Sequence, residues 1–168
     1  MLFRSIMISE SDKFLFRNAI DKKIPIDKDA DKGIESNKAN RNRLFDSYSY
    51  LSEPNLRGSE PVSYSQSGVS PKTIKKMKQG NLDRPPSIDL HGQTIKEACR
   101  SLSNFIHYHQ DEKFIHIVHG KGFHSEQGLS ILKSQVVYYL KQHPQVLAFC
   151  SCPQNSGGTG AVFVYLKY

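Results

Sequence analysis

Tryptophan is absent from the 168 residues, and cysteine is scarce, with only Cys99, Cys150 and Cys152. An odd, small number of thiols excludes a disulfide framework and points to a reducing, cytoplasmic setting. No apolar run approaches the roughly 18 residues needed to cross a bilayer, so no membrane partner is expected. The start, MLFRSIMISESD, has an apolar stretch broken by Arg4 and no small-residue cleavage site, so a secretory leader is not expected. Apolar residues make up 38 % of the chain, below the usual share of about 45–50 %. Part of the chain therefore lacks the apolar surface to build a core. There is no P-loop, HExxH or nucleophile elbow, and no repeat of solenoid length.

What is present divides unevenly at Pro86. Residues 1–86 hold 16 Lys/Arg against 11 Asp/Glu, whereas residues 87–168 hold 7 against 5. All seven histidines and all three cysteines fall in the second part. Residues 1–86 read as a basic N-terminal extension, mostly disordered with short helices. The run from Asp21 to Arg43 cannot bury enough surface to offset its ordering entropy. Ser9 and Asp12 can cap one short helix through Phe14, Leu15, Phe16, Ala19 and Ile20. Ser70 as N-cap, Pro71 at the first position and Gly80 at the end define a second. Lys72, Lys75, Lys76 and Lys78 crowd that second helix, which suits either a solvated surface or contact with phosphates.

Residues 87–168 read as a folded domain. Strands are predicted at Ser87–Leu90, Phe114–Val118, Val146–Cys152 and Ala161–Lys167. Thr94 and Glu97 form a capping box ahead of Ile95, Ala98, Cys99, Leu102, Phe105 and Ile106 at helical spacing. Ser125 can cap a further helix whose apolar side holds Leu129, Leu132, Val136, Tyr139 and Leu140. The order β-α-β-α-β-β predicts a two-layer α/β sandwich: a mixed four-stranded sheet, parallel at first, with an antiparallel final pair.

Three polar clusters fall at strand ends. Asp89-Leu90-His91-Gly92 closes the first strand, and residues two apart on a strand point to one side. There a carboxylate can orient an imidazole that moves a proton near neutral pH. His119-Gly120-Lys121-Gly122 joins the second strand to a helix. Its glycines allow close backbone approach and Lys121 adds a cation, which together suit a phosphate. Gly157-Gly158-Thr159-Gly160 leads into the last strand with no helix after it, so it is not a dinucleotide fingerprint. Ligands of parallel α/β sheets sit outside the carboxyl ends of the strands, so the three clusters are expected to converge. The Cys150-Ser151-Cys152 pattern lacks matching partners for zinc and reads as buried structure. His107, His109 and His116 read as surface or half-buried residues, and His124 adjoins the phosphate loop.

IDLHG at 88–92, VHGKG at 118–122 and GGTGA at 157–161, in that order and spacing, resemble the Smr (small MutS-related) family over residues 87–168. VSYSQSGVSPKTIKKMKQG at 62–80 is similar to the segment before the domain in stand-alone bacterial members. That group includes a ribosome-collision endonuclease whose N-terminal arm docks on ribosomes. The resemblance implies a sandwich related to the C-terminal domain of a bacterial translation initiation factor, and endonuclease activity on RNA or DNA. Carried over by motif, Asp89 and His91 become the catalytic pair. The segment from His119 to Gly122 becomes the phosphate element, and Gly157, Gly158 and Gly160 shape the same cleft.

RNA cleavage, most of all of mRNA on stalled or collided ribosomes, is the expectation. DNA nicking or a non-catalytic nucleic-acid or ribosome adaptor are the alternatives. An adaptor would have no need of the Asp89–His91 pair. No cofactor is expected. Only Asp89, among five carboxylates after Pro86, sits at the predicted cleft, which argues against a two-metal mechanism, although the chemistry admits a divalent ion.

Overall fold

The computed structural model describes residues 44–122 and 128–168. The helix expected at Phe14–Ile20, the Asp21–Arg43 run, His124 and the Ser125 cap lie outside these residues. In chain order the elements are β1 (Ser63–Ser65), α1 (Pro71–Lys78), β2 (Ser87–Asp89), α2 (Ile95–Tyr108), β3 (Phe114–Val118), α3 (Ile131–Gln142), β4 (Val146–Ser151) and β5 (Ala161–Leu166). Short 3-10 turns at Gln154–Ser156 and Gly158–Gly160 separate the last two strands.

The strands form one mixed sheet in the order β1-β4-β5-β3-β2. β2 and β3 are parallel, whereas β5 runs antiparallel between β3 and β4. The mixed α/β class and the four expected strands are present, but the sheet has five strands. The fifth is β1, whose three residues pair with Ala148–Cys150 of β4. Ser-Tyr-Ser is too short and too polar to show a period. It becomes a strand because β4 offers it an edge.

Local chemistry accounts for the helices. The Thr94 Oγ1 accepts from the Glu97 N–H at 3.3 Å, and the Glu97 carboxylate accepts from the Thr94 N–H at 2.9 Å. Two otherwise unpaired donors at the start of α2 are thereby satisfied. Ser70 caps α1, accepting from the Lys72 N–H, with Pro71 at its first position. α3 starts at Ile131, with Ser130 before it, and Leu129 instead forms an isolated bridge to Arg57.

The two faces of the sheet are covered differently. Ile115, Ile117, Val162, Val164 and Leu166 pack with Leu102 and Ile106 of α2 and Val136 and Leu140 of α3. On the opposite face Cys150, Cys152, Ala161 and Phe163 pack with Met77 of α1. All three cysteines are free and buried, as structural residues. α1 is thus a helix of the fold on the second face, which the two-layer expectation did not include.

The segment before β1 is also built in. Phe45, Tyr48, Tyr50 and Leu56 pack against the α2–α3 side of the core. Its irregular backbone needs hydrogen-bond partners, and α3 supplies them from polar side chains turned inward. Gln135 Oε1 accepts from the Leu51 N–H at 2.9 Å, and Ser134 Oγ accepts from the Asn55 and Leu56 N–H groups. The Lys133 ammonium, fully buried, donates to the carbonyls of Arg57, Gly58 and Glu60. The packed unit therefore begins upstream of Ser87, where the sequence places the start of the folded domain.

Candidate active site

β2 ends at Asp89, and His91 follows it over the end of the sheet. Asp89 Oδ1 accepts twice from His91, from the backbone N–H at 3.0 Å and from ring Nδ1 at 2.7 Å. Both side chains are open to solvent, 73 % for His91 and 52 % for Asp89. Burial alone would raise the Asp89 carboxyl. The two hydrogen bonds from His91 and the nearby His91 and His116 rings outweigh it and hold the group below the usual carboxylate range. Asp89 is therefore ionised at neutral pH and accepts from His91 Nδ1. In the unprotonated ring this bond selects the tautomer with its proton on Nδ1 and a lone pair on Nε2. Gly92, exposed and at φ 78°, turns the chain away immediately after.

The second cluster meets the first. A Cβ on Gly120 would lie 3.4 Å from the His91 Cβ, and the residue has φ 77°, where only glycine is unstrained. The third cluster meets the second. The Gly160 carbonyl accepts from the His119 and Gly120 N–H groups at 3.0 and 2.9 Å. A Cβ on Gly160 would lie 3.1 Å from Lys121 Cγ, so the Lys121 stem runs along this glycine. Gly157 and Gly158 belong to the turns that deliver Gly160, and Gly122 is exposed at the far side of the loop. The three glycine-bearing segments thus converge, as expected from the strand ends.

His119 does not join the surface they form. It is 2 % exposed, its Nδ1–H donates to the Gly120 carbonyl at 2.8 Å, and its Nε2 is buried with no partner. Burial, aided by the Lys133 charge, pulls it down to about 4 against the opposing bond to Gly120. It is neutral at pH 7 and inaccessible to a phosphate, which corrects the expectation that His119 binds one. The lysines of α1 are exposed along the second face of the sheet, and no described contact joins them to Asp89 or His91. Among the described residues no group of three or more His, Cys, Asp or Glu could hold a metal ion.

Three supporting residues escaped the sequence reading. His116 donates from Nε2 to the Ser156 carbonyl at 3.1 Å and accepts at Nδ1 from the Ser87 hydroxyl at 2.9 Å. It ties β2 to the turn that precedes Gly157. Gly58 lies so close to the phosphate-loop candidate that a Cβ there would overlap the Lys121 carbonyl oxygen. Lys133 holds the Gly58 segment in place. The only sequence signal was a lysine within an apolar helical period, which reads as surface.

Two buried histidines make a stability prediction. His119 and His143 are both pulled from 6.5 down to about 4, chiefly by burial. Their folded values lie below their unfolded ones. The stability they contribute is present above pH 6.5 and is lost as pH falls from 6.5 towards 4, by roughly 3 kcal/mol each once complete. Urea unfolding at pH 7 and pH 5 should show a clear loss at the lower pH, smaller in His143→Gln. A flat profile would contradict the burial of these rings.

Comparison with known proteins places the chain. The Smr domain model matches residues 88–167. A ribosome rescue factor SmrB from Photobacterium profundum is 33 % identical over 138 residues, covering 81 % of this chain and 74 % of that protein. One from Vibrio cholerae is 38 % identical over 117 residues, covering 68 % and 59 %. One from Buchnera aphidicola is 36 % identical over 122 residues, covering 71 % of this chain, which spans only 62 % of that relative's length. The crystal structure of YdaL, a stand-alone small MutS-related protein from Escherichia coli, superposes with a TM-score of 0.59 at 25 % identity, covering 67 % of this chain and 88 % of that one. No helix among the described residues is long and apolar enough to cross a membrane. By sequence, and by a sheet whose three glycine-bearing loops meet at its end, the chain belongs to the Smr domain family.

Proposed function

We propose that this protein is an endonuclease that cleaves RNA at the Asp89–His91 pair, acting on mRNA at stalled ribosomes. The observation that carries the reading is the 2.7 Å contact between Asp89 Oδ1 and His91 Nδ1, with the rest of the ring open to solvent. The SmrB relatives are named ribosome rescue factors, which supports the ribosome as the setting.

RNA carries its own nucleophile, so the protein needs only a base and a means to stabilise charge on phosphorus. His91 Nε2 takes the 2′-OH proton. The 2′ oxygen bonds to phosphorus and the bond to the 5′ oxygen breaks, leaving a 2′,3′-cyclic phosphate. The departing 5′ oxygen takes up a proton and becomes a hydroxyl. Lys121 and the Gly120–Gly122 backbone suit the phosphate, beside Gly92, Gly157, Gly158 and Gly160. His119 and His124, on either side of the phosphate loop in sequence, are the candidate donors to the leaving oxygen, and burial takes His119 out of that role. No step calls for a metal. Incubation of the full chain with RNA in chelator, followed by mapping of the ends, should give cyclic phosphate and 5′-hydroxyl. Ends bearing 5′-phosphate would mean attack by water and overturn the 2′-OH route, whereas no cleavage of RNA in chelator together with nicking of DNA on added divalent metal would favour the metal-assisted alternative.

The lysines of α1 supply binding. Each phosphate contact made by Lys72, Lys75, Lys76 or Lys78 adds about −0.7 to the salt slope on a single strand. Changing all four to Gln should weaken RNA or ribosome binding and flatten its salt dependence, while turnover at saturating substrate stays near that of the parent. An unchanged slope would make them ordinary surface charge.

A further inference from the structure

α1 covers only part of the second sheet face. Beyond it, on the central strands, Phe114 of β3 and Tyr165 of β5 sit directly opposite one another, both half-buried. Their rings are 5.3 Å apart at 32°. Tyr168 continues the row 6.4 Å from Tyr165 and is 57 % exposed. Two ammonium groups lie over these rings, and that of Lys113 also donates to the Tyr168 hydroxyl at 3.2 Å. Lys113 Nζ lies 5.9 Å from the centres of Phe114 and Tyr165 and 4.9 Å from Tyr168, and Lys76 Nζ lies 5.9 Å from Phe114. Neither has a carboxylate within ion-pair distance among the described residues. Half-exposed flat rings on a sheet, with cations over them that have no carboxylate partner among the described residues, match the chemistry of a single-stranded nucleic acid, whose bases stack and whose phosphates are negative.

The position also fits. Side chains alternate along a strand, and Ser87↔His116 and Asp89↔Val118 are in register. Asp89, Val118, His116 and Phe114 therefore share one face. Phe114 is four residues before Val118, about 13 Å along the sheet at roughly 3.3 Å per residue. The turn at Ser156, bonded to His116, lies between the two ends of that path.

We infer that Phe114, Tyr165 and Tyr168, with Lys113 and Lys76, form a platform on which bases of a single-stranded RNA stack, a short distance along the same strand of substrate from the scissile bond. This rests on the reading of the substrate as nucleic acid. It assigns to the domain a base-stacking contact separate from the phosphate contacts of the loops. Stacking is tolerant of sequence because every base has a flat face, so the platform adds affinity without specificity.

The chain has no tryptophan, so Phe114→Trp in the full chain gives a single indole reporter at the platform. The probe is a short 2′-O-methyl RNA, whose blocked nucleophile prevents turnover, compared with an abasic strand of equal length and charge. The base-bearing strand should quench the indole and bind about fivefold or more tightly than the abasic strand. Tyr165→Leu should erase most of that difference and leave abasic binding unchanged. If circular dichroism shows Phe114→Trp misfolded, anisotropy of labelled strands on Phe114→Leu and Tyr165→Leu makes the same comparison. Equal binding of both strands without quenching would overturn the platform while leaving a nucleic-acid substrate in place. Binding of neither strand at low salt would remove the nucleic-acid reading and the platform with it.

Discussion

His91→Ala is expected to lower RNA cleavage by about 10²- to 10⁴-fold, the usual worth of a positioned general base. The ring is 73 % exposed and its one described hydrogen-bonding partner is Asp89, so its removal leaves no cavity and orphans no buried group. Fold and binding should therefore survive, which makes a loss of turnover interpretable. Asp89→Asn tests the coupling. An amide can still meet the His91 Nδ1, but it can do so through its NH₂, which favours the opposite tautomer and puts a proton on Nε2. Cleavage should fall nearly as far as in His91→Ala, and the double variant should be little worse than either, because the two act as one unit. Full activity of His91→Ala would remove the proposed site altogether. Independent, additive losses would mean that Asp89 does something other than hold the ring.

Lys133→Ala should destabilise the protein by about 3–5 kcal/mol. The ammonium is fully buried and donates to three backbone carbonyls of the 57–60 segment. Removing it orphans those acceptors and opens a cavity under the strap. Against a typical total of about 5–15 kcal/mol this is a large fraction. Lys133→Met retains most of the volume and loses only the donors, so it should cost less, about 1–3 kcal/mol. Because Gly58 presses on the Lys121 carbonyl, the freed segment should also loosen the phosphate loop and raise KM for RNA. Urea unfolding measures the first effect and steady-state cleavage at permissive temperature the second. A change within about 0.5 kcal/mol for Lys133→Ala, the range of ordinary surface substitutions, would mean that the buried ammonium does not hold the strap.

The elements with strong local chemistry were legible in the chain alone. β3 matches its expected bounds, and β2, β4 and β5 are each shorter by one residue at the end. The Thr94–Glu97 box starts α2, and Ser70 with Pro71 starts α1. Alternation and capping are properties of a few adjacent residues, so neighbours suffice to show them. The Asp89–His91 pair was legible as two residues close in sequence, but the strand ends at Asp89, and the turn after it makes the contact, with the His91 N–H also bonded to the carboxylate. The meeting of the three loops followed from strand order.

What only the tertiary structure decided depends on partners far away in the chain. Lys133 and the carbonyls that it binds are 73 to 76 residues apart, so nothing near it reveals an inward-facing cation. β1 is a strand only because β4 presents an edge, and Tyr64 stacks on Phe149 across that pairing. His119 shares a motif with Gly120 and Lys121 but points into the fold, donating to its neighbour's carbonyl. A polar side chain carries no mark of which way it faces. Apolar residues reveal their side by their period, because water excludes them wherever they are. A histidine or lysine is stable on either side, provided that its hydrogen bonds are met, and only the folded backbone shows where they are met.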